Sequence, residues 1–439
     1  MAGSSPDLWG RVCVLFPFFA LFFLTALPLL PQGREPASAS STPDVTALLT
    51  KAESALRRND FAAAVTALKS LLEAQPQNFS AWFNLGYAYT ALHQDEEAIK
   101  AYQKALALDP NSFEARLNLG ILLIERKQPQ AALEQLEKAS TLKPEHARAH
   151  LYYGRALGQA GHLEAAYKQF QEVIRLDPRM AIAHFDAAQL LLDQKRYAEA
   201  LPSFQEAAEL DPTLAQANLG MALASEGLKD LPQAVTYFEK YLATNPQDFE
   251  ARFHLARLYL QLDKNQQALE NLQEVYRVKP NLPHLAAALG DVNALLKHFP
   301  ESEKFYRQAL ETQPDEPELH RVLAQTLLDG GKFADAEAEF RATLRLDPKN
   351  LDAAKGLAFS LYLQERYQQA IPILEALAHT PDPPVFLYFV LASCYDHLFL
   401  RPKALEAYER FLALSNGKNP DHEWQARQRA KLLRRELNK

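Results

Sequence analysis

Proline stands at positions 76, 110, 144, 178, 212, 246, 280, 314 and 348, each 34 residues after the last. A fixed period kept over so many copies means that the chain folds as a stack of like units and not as a set of unrelated domains. Placing this proline at position 32 of each unit gives eleven units, from Val45 to Lys418, and the other positions then test the frame. Position 8 is Ala52, Gly86, Gly120, Gly154, Ala188, Ala222, Ala256, Gly290, Ala324, Ala358 and Ala392, small in every unit. Position 20 is alanine from Ala64 to Ala404, with Ser302 as the one exception, and position 24 is always large and apolar, as in Tyr102, Phe170, Phe204, Phe340 and Tyr408. Small seats facing large ones predict two antiparallel helices per unit, in contact at positions 8 and 20 with the position-24 side chain inserted beside them. One such pair leaves a face uncovered, and stacking the next pair buries it, so stability resides in nearest-neighbour interfaces.

The punctuation agrees with this reading. Asp109-Pro110, Asp177-Pro178 and Asp347-Pro348 supply a helix stop and the next start. Prolines 129, 232, 300 and 402 fall at position 17 or 18, the first turn of the second helix, where a missing N–H costs little. With 48% apolar and 23% charged residues but only 15 glycines, the composition is that of a folded, helical chain poor in phosphate-cradling loops. Cys13 and Cys394 cannot build a disulfide framework or a thiolate zinc site. A net charge of −7 spread along the chain disfavours nucleic acid as a partner.

Residues 79 to 110, FSAWFNLGYAYTALHQDEEAIKAYQKALALDP, carry Trp82, Leu85, Gly86, Tyr89, Ala98, Tyr102, Ala105 and Pro110 at the signature positions of the tetratricopeptide repeat, which this stretch closely resembles. The resemblance extends over all eleven units, residues 45 to 418. It implies an all-α fold, an α-solenoid in the form of a right-handed superhelix whose first helices line a concave groove. Three units depart from the pattern. Unit six reads ANLGMALASEGLKDLPQA, with Asn218-Leu219-Gly220 two residues early, so a shifted first helix is expected there. Units ten and eleven have Asp382 and Asn416 in the proline seat. Residues 419 to 439 read as a final helix, with Trp424, Ala426, Ala430, Leu433 and Leu437 among basic residues, and would serve as a solvating cap.

Ahead of the repeats, Val12 to Leu30 is a run of 19 uncharged, mostly apolar residues preceded by Arg11. As a helix it would span about 28 Å, close to a bilayer's hydrocarbon core. Residues 1–30 therefore read as a signal peptide or as a transmembrane signal anchor. Ala37-Ser38-Ala39 favours cleavage, the length favours retention, and both readings stay open. Residues 31–44, rich in Pro, Ala and Ser, form a flexible linker of at most about 45 Å. The repeats would then be exported across the cytoplasmic membrane or anchored in it, periplasmic or otherwise extracytoplasmic, the alternative being its cytoplasmic face.

Catalytic signatures are missing: the sequence contains no G-x-G-x-x-G, no Walker-type loop, no H-E-x-x-H and no G-x-S-x-G. No cofactor, metal or small-molecule substrate is expected, and the chain reads as a non-enzyme. His146 and His150 have a metal-compatible spacing, but His150, His184 and His320 all occupy position 4, which reads as a packing seat. Binding of proteins or extended peptides is the remaining function, and positions 2, 5, 6, 9, 12 and 13 of the first helices should face the groove. The candidate residues are Asn84, Tyr87, Asn118, Arg148, Tyr152, Arg155, Asp186, Gln189, His254 and Arg257. Asn84 and Asn118 share position 6, where an amide can both donate to and accept from a peptide backbone. They resemble two rungs of the asparagine ladder in O-linked N-acetylglucosamine transferases, with Tyr152, Asp186, His254 and Ala288 interrupting it. The carboxylate clamp of chaperone adaptors is excluded, since the only position-5 lysine, Lys355, is followed at position 9 by Phe359. A regulatory or assembly subunit docking through its convex face to a separately encoded enzyme is the alternative function.

Overall fold

The computed structural model describes residues 44–282 and 284–438. The apolar run at residues 12–30 and nearly all of the linker lie outside the described residues. Among those described there are 23 α-helices and no strand, and no helix is long and apolar enough to cross a membrane. The helices form hairpins in sequence, from Val45–Arg57 with Phe61–Ala74 to Val385–His397 with Arg401–Ser415, followed by Pro420–Leu437. The architecture is a solenoid of helical hairpins. Packing divides the hairpins into two units, one ending at Thr244 and one starting at Asn245.

Within each hairpin the small seats work as close contacts. A Cβ placed on Gly120 would lie 2.4 Å from Leu136 Cγ, and one on Gly86 2.8 Å from the Tyr102 ring, so only hydrogen fits there without movement of the position-24 side chain. Ser302 fits the alanine seat of unit eight because its hydroxyl, fully buried, donates to the Gly290 carbonyl at 2.8 Å.

The first helices all end in the same way. In every repeat the N–H of position 16 donates to the carbonyl of position 11, from Asp60 to Ala55 at 2.8 Å through to Leu400 to Tyr395 at 2.9 Å. The intervening position 15 has positive φ in all eleven repeats. This is the left-handed helix terminator, in which the 6→1 bond satisfies a carbonyl that the helix leaves open. Glycine occupies the seat at Gly161 and Gly331, whereas Lys127, Lys195, Lys229, Lys297, Glu365 and Phe399 adopt the same conformation against their intrinsic preference.

Between repeats, Asp109, Asp177, Asp211 and Asp347 accept a hydrogen bond from the N–H two residues on, so the Asp-Pro steps are Asx turns. Position 4 then locks the turn. Trp82, Arg116, His150, His184, Arg252 and His320 each donate a side-chain N–H to the carbonyl of the proline six residues earlier. The position-4 histidines are thus hydrogen-bonding residues of the turn and more than packing residues. Their seat selects a side chain with an N–H at the end of an apolar or planar body.

Of the departures from the pattern, the one in repeat six resolves differently from expectation. Repeat six is not shifted: its first helix runs Ala215–Gly227 at positions 1 to 13, and Ala222 is fully buried at position 8. Its early glycine faces the previous repeat, where a Cβ on Gly220 would sit 2.4 Å from Phe204 Cζ, as one on Gly356 would sit 2.1 Å from Phe340 Cζ. Position 6 therefore lies over the position-24 side chain of the preceding repeat. In repeat ten, with Asp382 in place of proline, the second helix stops at Ala378, two positions earlier than in repeats one to nine.

In the second unit, buried Glu303 and Glu337 add ionic links between repeats. Glu303 holds Lys332 of the next hairpin at 2.8 Å, and Glu337 accepts from Arg341 at 3.0 Å and from Arg366 and Gln364 of the next. The final helix is tied on by Arg429, which forks onto Asp396 at 2.5 and 2.8 Å, and by His422, whose ring meets Phe386 and Phe389.

Candidate functional site

First helices of neighbouring repeats touch along the first unit, Phe113–Glu125 on Ala147–Gln159 and Ala147–Gln159 on Ala181–Asp193, so their outward positions form one continuous face. At its centre is Tyr152. The Arg148 guanidinium lies 5.6 Å and the Arg155 guanidinium 5.5 Å from the centre of its ring, so two cations meet one ring. Arg155 in turn reaches across to the next repeat and donates from Nε to Asp186 Oδ2 at 2.6 Å, with side chains 20% and 15% exposed. Gln189, one turn further along, donates to Asp193 at 3.1 Å. Four of the expected groove residues are therefore one contiguous cluster that spans two repeats.

The amides differ from expectation. Asn84 is 2% and Asn118 7% exposed, enclosed against the preceding repeat, whereas Tyr152 and Asp186 in the same seat stay half-buried. Thr90 approaches the Tyr102 hydroxyl at 3.5 Å, and burial pushes the Tyr102 phenol well above its ordinary range. Asn84 Oδ1 and Asn118 Nδ2 are enclosed without a hydrogen-bond partner. The two residues belong to the interface between repeats and do not form open rungs. Asn218, at position 4 and half-buried, does not join them. Tyr87 is half-buried with its ring edge against Phe61 at 5.9 Å, and burial raises its pKa.

His254 and Arg257 belong to the second unit, the first half-buried and the second exposed. His146 and His150 are not paired as metal ligands: the His146 ring packs on Phe113 at 4.8 Å, while His150 bridges Gln169 at 2.7 Å and the Pro144 carbonyl at 2.9 Å. Burial holds His146 below the ordinary histidine range, with Lys143 and Arg148 adding to the shift. No group of three or more metal-binding side chains occurs among the described residues.

A family model described as the cytochrome c-type biogenesis protein H TPR domain matches residues 37–180. Models described as tetratricopeptide repeat match residues 154–215, 255–317 and 321–384, and residues 223–270. The repeats are tetratricopeptide repeats. Among curated proteins, this tetratricopeptide-repeat chain is 24% identical over 180 residues to the BBSome complex member BBS4 homolog of Drosophila melanogaster, covering 41% of this chain and 37% of that one. It is 31% identical over 132 residues to Protein O-mannosyl-transferase Tmtc1 of the same organism, covering 28% and 15%. It is 26% identical over 141 residues to the TPR repeat-containing protein YpiA of Bacillus subtilis, covering 31% and 33%. The chain thus spans between 15% and 37% of the length of these relatives. Among solved structures, YrrB, titled a TPR protein with an unusual peptide-binding site, matches at 24% identity and a TM-score of 0.38 over 42% of this chain and 92% of its own. Yeast Tom70 matches at 16% and 0.34 over 90% of this chain and 96% of its own.

Proposed function

We propose that this tetratricopeptide-repeat protein is a non-enzymatic scaffold that holds a partner polypeptide on the first-helix face of repeats four and five. The observation that carries the reading is the Arg148–Tyr152–Arg155–Asp186 cluster. None of these side chains occupies a small or large seat of the repeat frame, yet together they place charge and an aromatic face across two repeats. An acidic or aromatic side chain of a partner would compete with Asp186 for Arg155 and rest on the Tyr152 ring. The apolar run at residues 12–30 and the match to a cytochrome c-type biogenesis domain support an envelope-associated, exported or tethered protein that serves an assembly machinery.

The test is a crosslinking pull-down of the full chain from membranes, comparing the wild type with Arg155→Glu and with the swap Arg155→Asp plus Asp186→Arg. The swap restores the internal pair, so its melting curve should return to the wild-type one. Capture of the partner should nevertheless fall about tenfold in both variants, the scale of one charge-assisted contact. Full capture by the swapped variant would move the site elsewhere.

A further inference from the structure

The eleven turns between first and second helices share one backbone but not one chemistry. At positions 15 and 16 the first ten repeats carry only polar residues or glycine, from Asn59-Asp60 through Lys195-Arg196 to Glu365-Arg366. The eleventh carries Phe399-Leu400. Phe399 is 79% exposed, the most exposed large apolar side chain among the described residues, and it holds φ at +60° where an aromatic residue is disfavoured. Arg401 pairs with Glu436 at 3.1 Å, which brings the end of the final helix, with exposed Leu437 and Arg435, beside the turn. Six of the twelve exposed large apolar side chains lie between Phe399 and Leu437. Residues 401–438 also carry nine Arg or Lys against five Asp or Glu, a net +4 within a chain of net −7.

We propose that this end of the repeat array is a contact surface for an anionic lipid bilayer. Phe399, Leu400 and Leu437 enter the interfacial zone, and Arg401, Lys403 and Arg435 meet the phosphate headgroups. A protruding apolar tip ringed by cations fits a bilayer interface, which accepts it without a shaped pocket and rewards both parts of it. Arg401 pairs with Glu436 and Lys403 with Glu375 at 3.5 Å, Lys403 also lying 5.3 Å from the centre of the Tyr395 ring, and these solvent-accessible ion pairs can exchange for phosphate. The surface is independent of the apolar run at residues 12–30.

The experiment uses the full chain with Cys13→Ser and Leu400→Cys, carrying an environment-sensitive fluorophore at position 400; Cys394 is fully buried. It is mixed with phosphatidylcholine vesicles, with and without phosphatidylglycerol, that contain a lipid-attached quencher. The label should shift to the blue and be quenched with anionic vesicles, and much less with neutral ones. The same label at Lys195→Cys, the corresponding turn of repeat five, should stay in water, so any attachment through the N-terminus is common to both. Adding Phe399→Gly to the labelled chain should abolish the quenching while the melting temperature holds or rises, since glycine suits the left-handed turn. Equal quenching at positions 400 and 195, or quenching that survives Phe399→Gly, overturns the proposal. Shielding of the label that needs a co-purifying protein and persists without lipid also overturns it, and assigns the tip to a protein pocket.

Discussion

The two units use one repeat frame for different surfaces. In the first, the outward seats of the first helices are polar: Arg148, Tyr152, Arg155, Asp186 and Gln189 lie at positions 2, 6 and 9 of repeats four and five. In the second, positions 9 and 2 turn apolar toward the C-terminus, with Phe359 stacked on Tyr362 at 6.0 Å and the Phe386 ring against His422 of the final helix. The second unit also sets buried carboxylates into the joints between repeats, as Glu303–Lys332 and Glu337–Arg366. The frame seats are shared and everything outside them is free to diverge, so where a unit places its charges separates a surface suited to polar contacts from one committed to holding repeats together.

The largest effects should come from breaking the frame, and should be alike in the two units. Gly120→Leu drives a side chain into Leu136 in the first unit, and Gly356→Ala places a methyl group against the Phe340 ring in the second. Each should cost about 1–3 kcal/mol or more in urea unfolding. A neutral result at Gly356 would show that position 6 of this repeat has room over the preceding ring.

Next in size are the ionic joints, which should distinguish the units. Burial works against the Glu337 carboxylate, but hydrogen bonds from Arg341 and Gln364 and the charge of Arg366 hold it below the usual carboxylate range. A folded-state pKa below the unfolded one gives stability that is fully present above the unfolded value, near pH 4.3, and is lost as pH falls through the folded one. Melting of the wild type should therefore decline more steeply than that of Glu337→Gln as the pH drops from about 5 to about 3. Glu337→Gln should also lower stability at neutral pH by about 1–3 kcal/mol. Parallel pH curves would mean that this joint contributes nothing through its charge.

Arg155→Gln should have a smaller effect on folding, about 1 kcal/mol, because the pair with Asp186 retains contact with water. Smallest, and of opposite sign, is Glu365→Gly, which relieves a left-handed backbone at φ +58° and should raise stability by at most about 1 kcal/mol once the freer unfolded chain is counted.

The proline period and the small seats were enough to read the hairpins, the solenoid and the contact between positions 8 and 24, because each rests on side-chain volume, which a sequence states directly. The position-15 turns were not legible. Their conformation is imposed by the 6→1 bond that closes the helix, and a lysine or a phenylalanine there gives no sign of it. Glycine misled at position 220, where the small residue serves the preceding ring and not its own hairpin. The Asn84 and Asn118 amides looked like surface residues because their seat faces the groove side in outline, but burial depends on how closely the preceding repeat approaches, which position within a helix does not reveal. Arg148, Tyr152 and Arg155 were legible as separate candidates by residue type and helix position, whereas the link to Asp186 depends on the stacking of one repeat on the next.

The hairpins also bear on how the chain acquires its structure. The principal packing joins helices one or two places apart along the chain, so nearly every contact closes a short loop. Chains of such low contact order fold quickly, and each hairpin needs only its predecessor as a template. A polypeptide that leaves a ribosome or a translocation channel N-terminus first can then zip up behind the moving end. Each proline turn marks the point at which about 34 further residues have cleared the exit and another unit can dock.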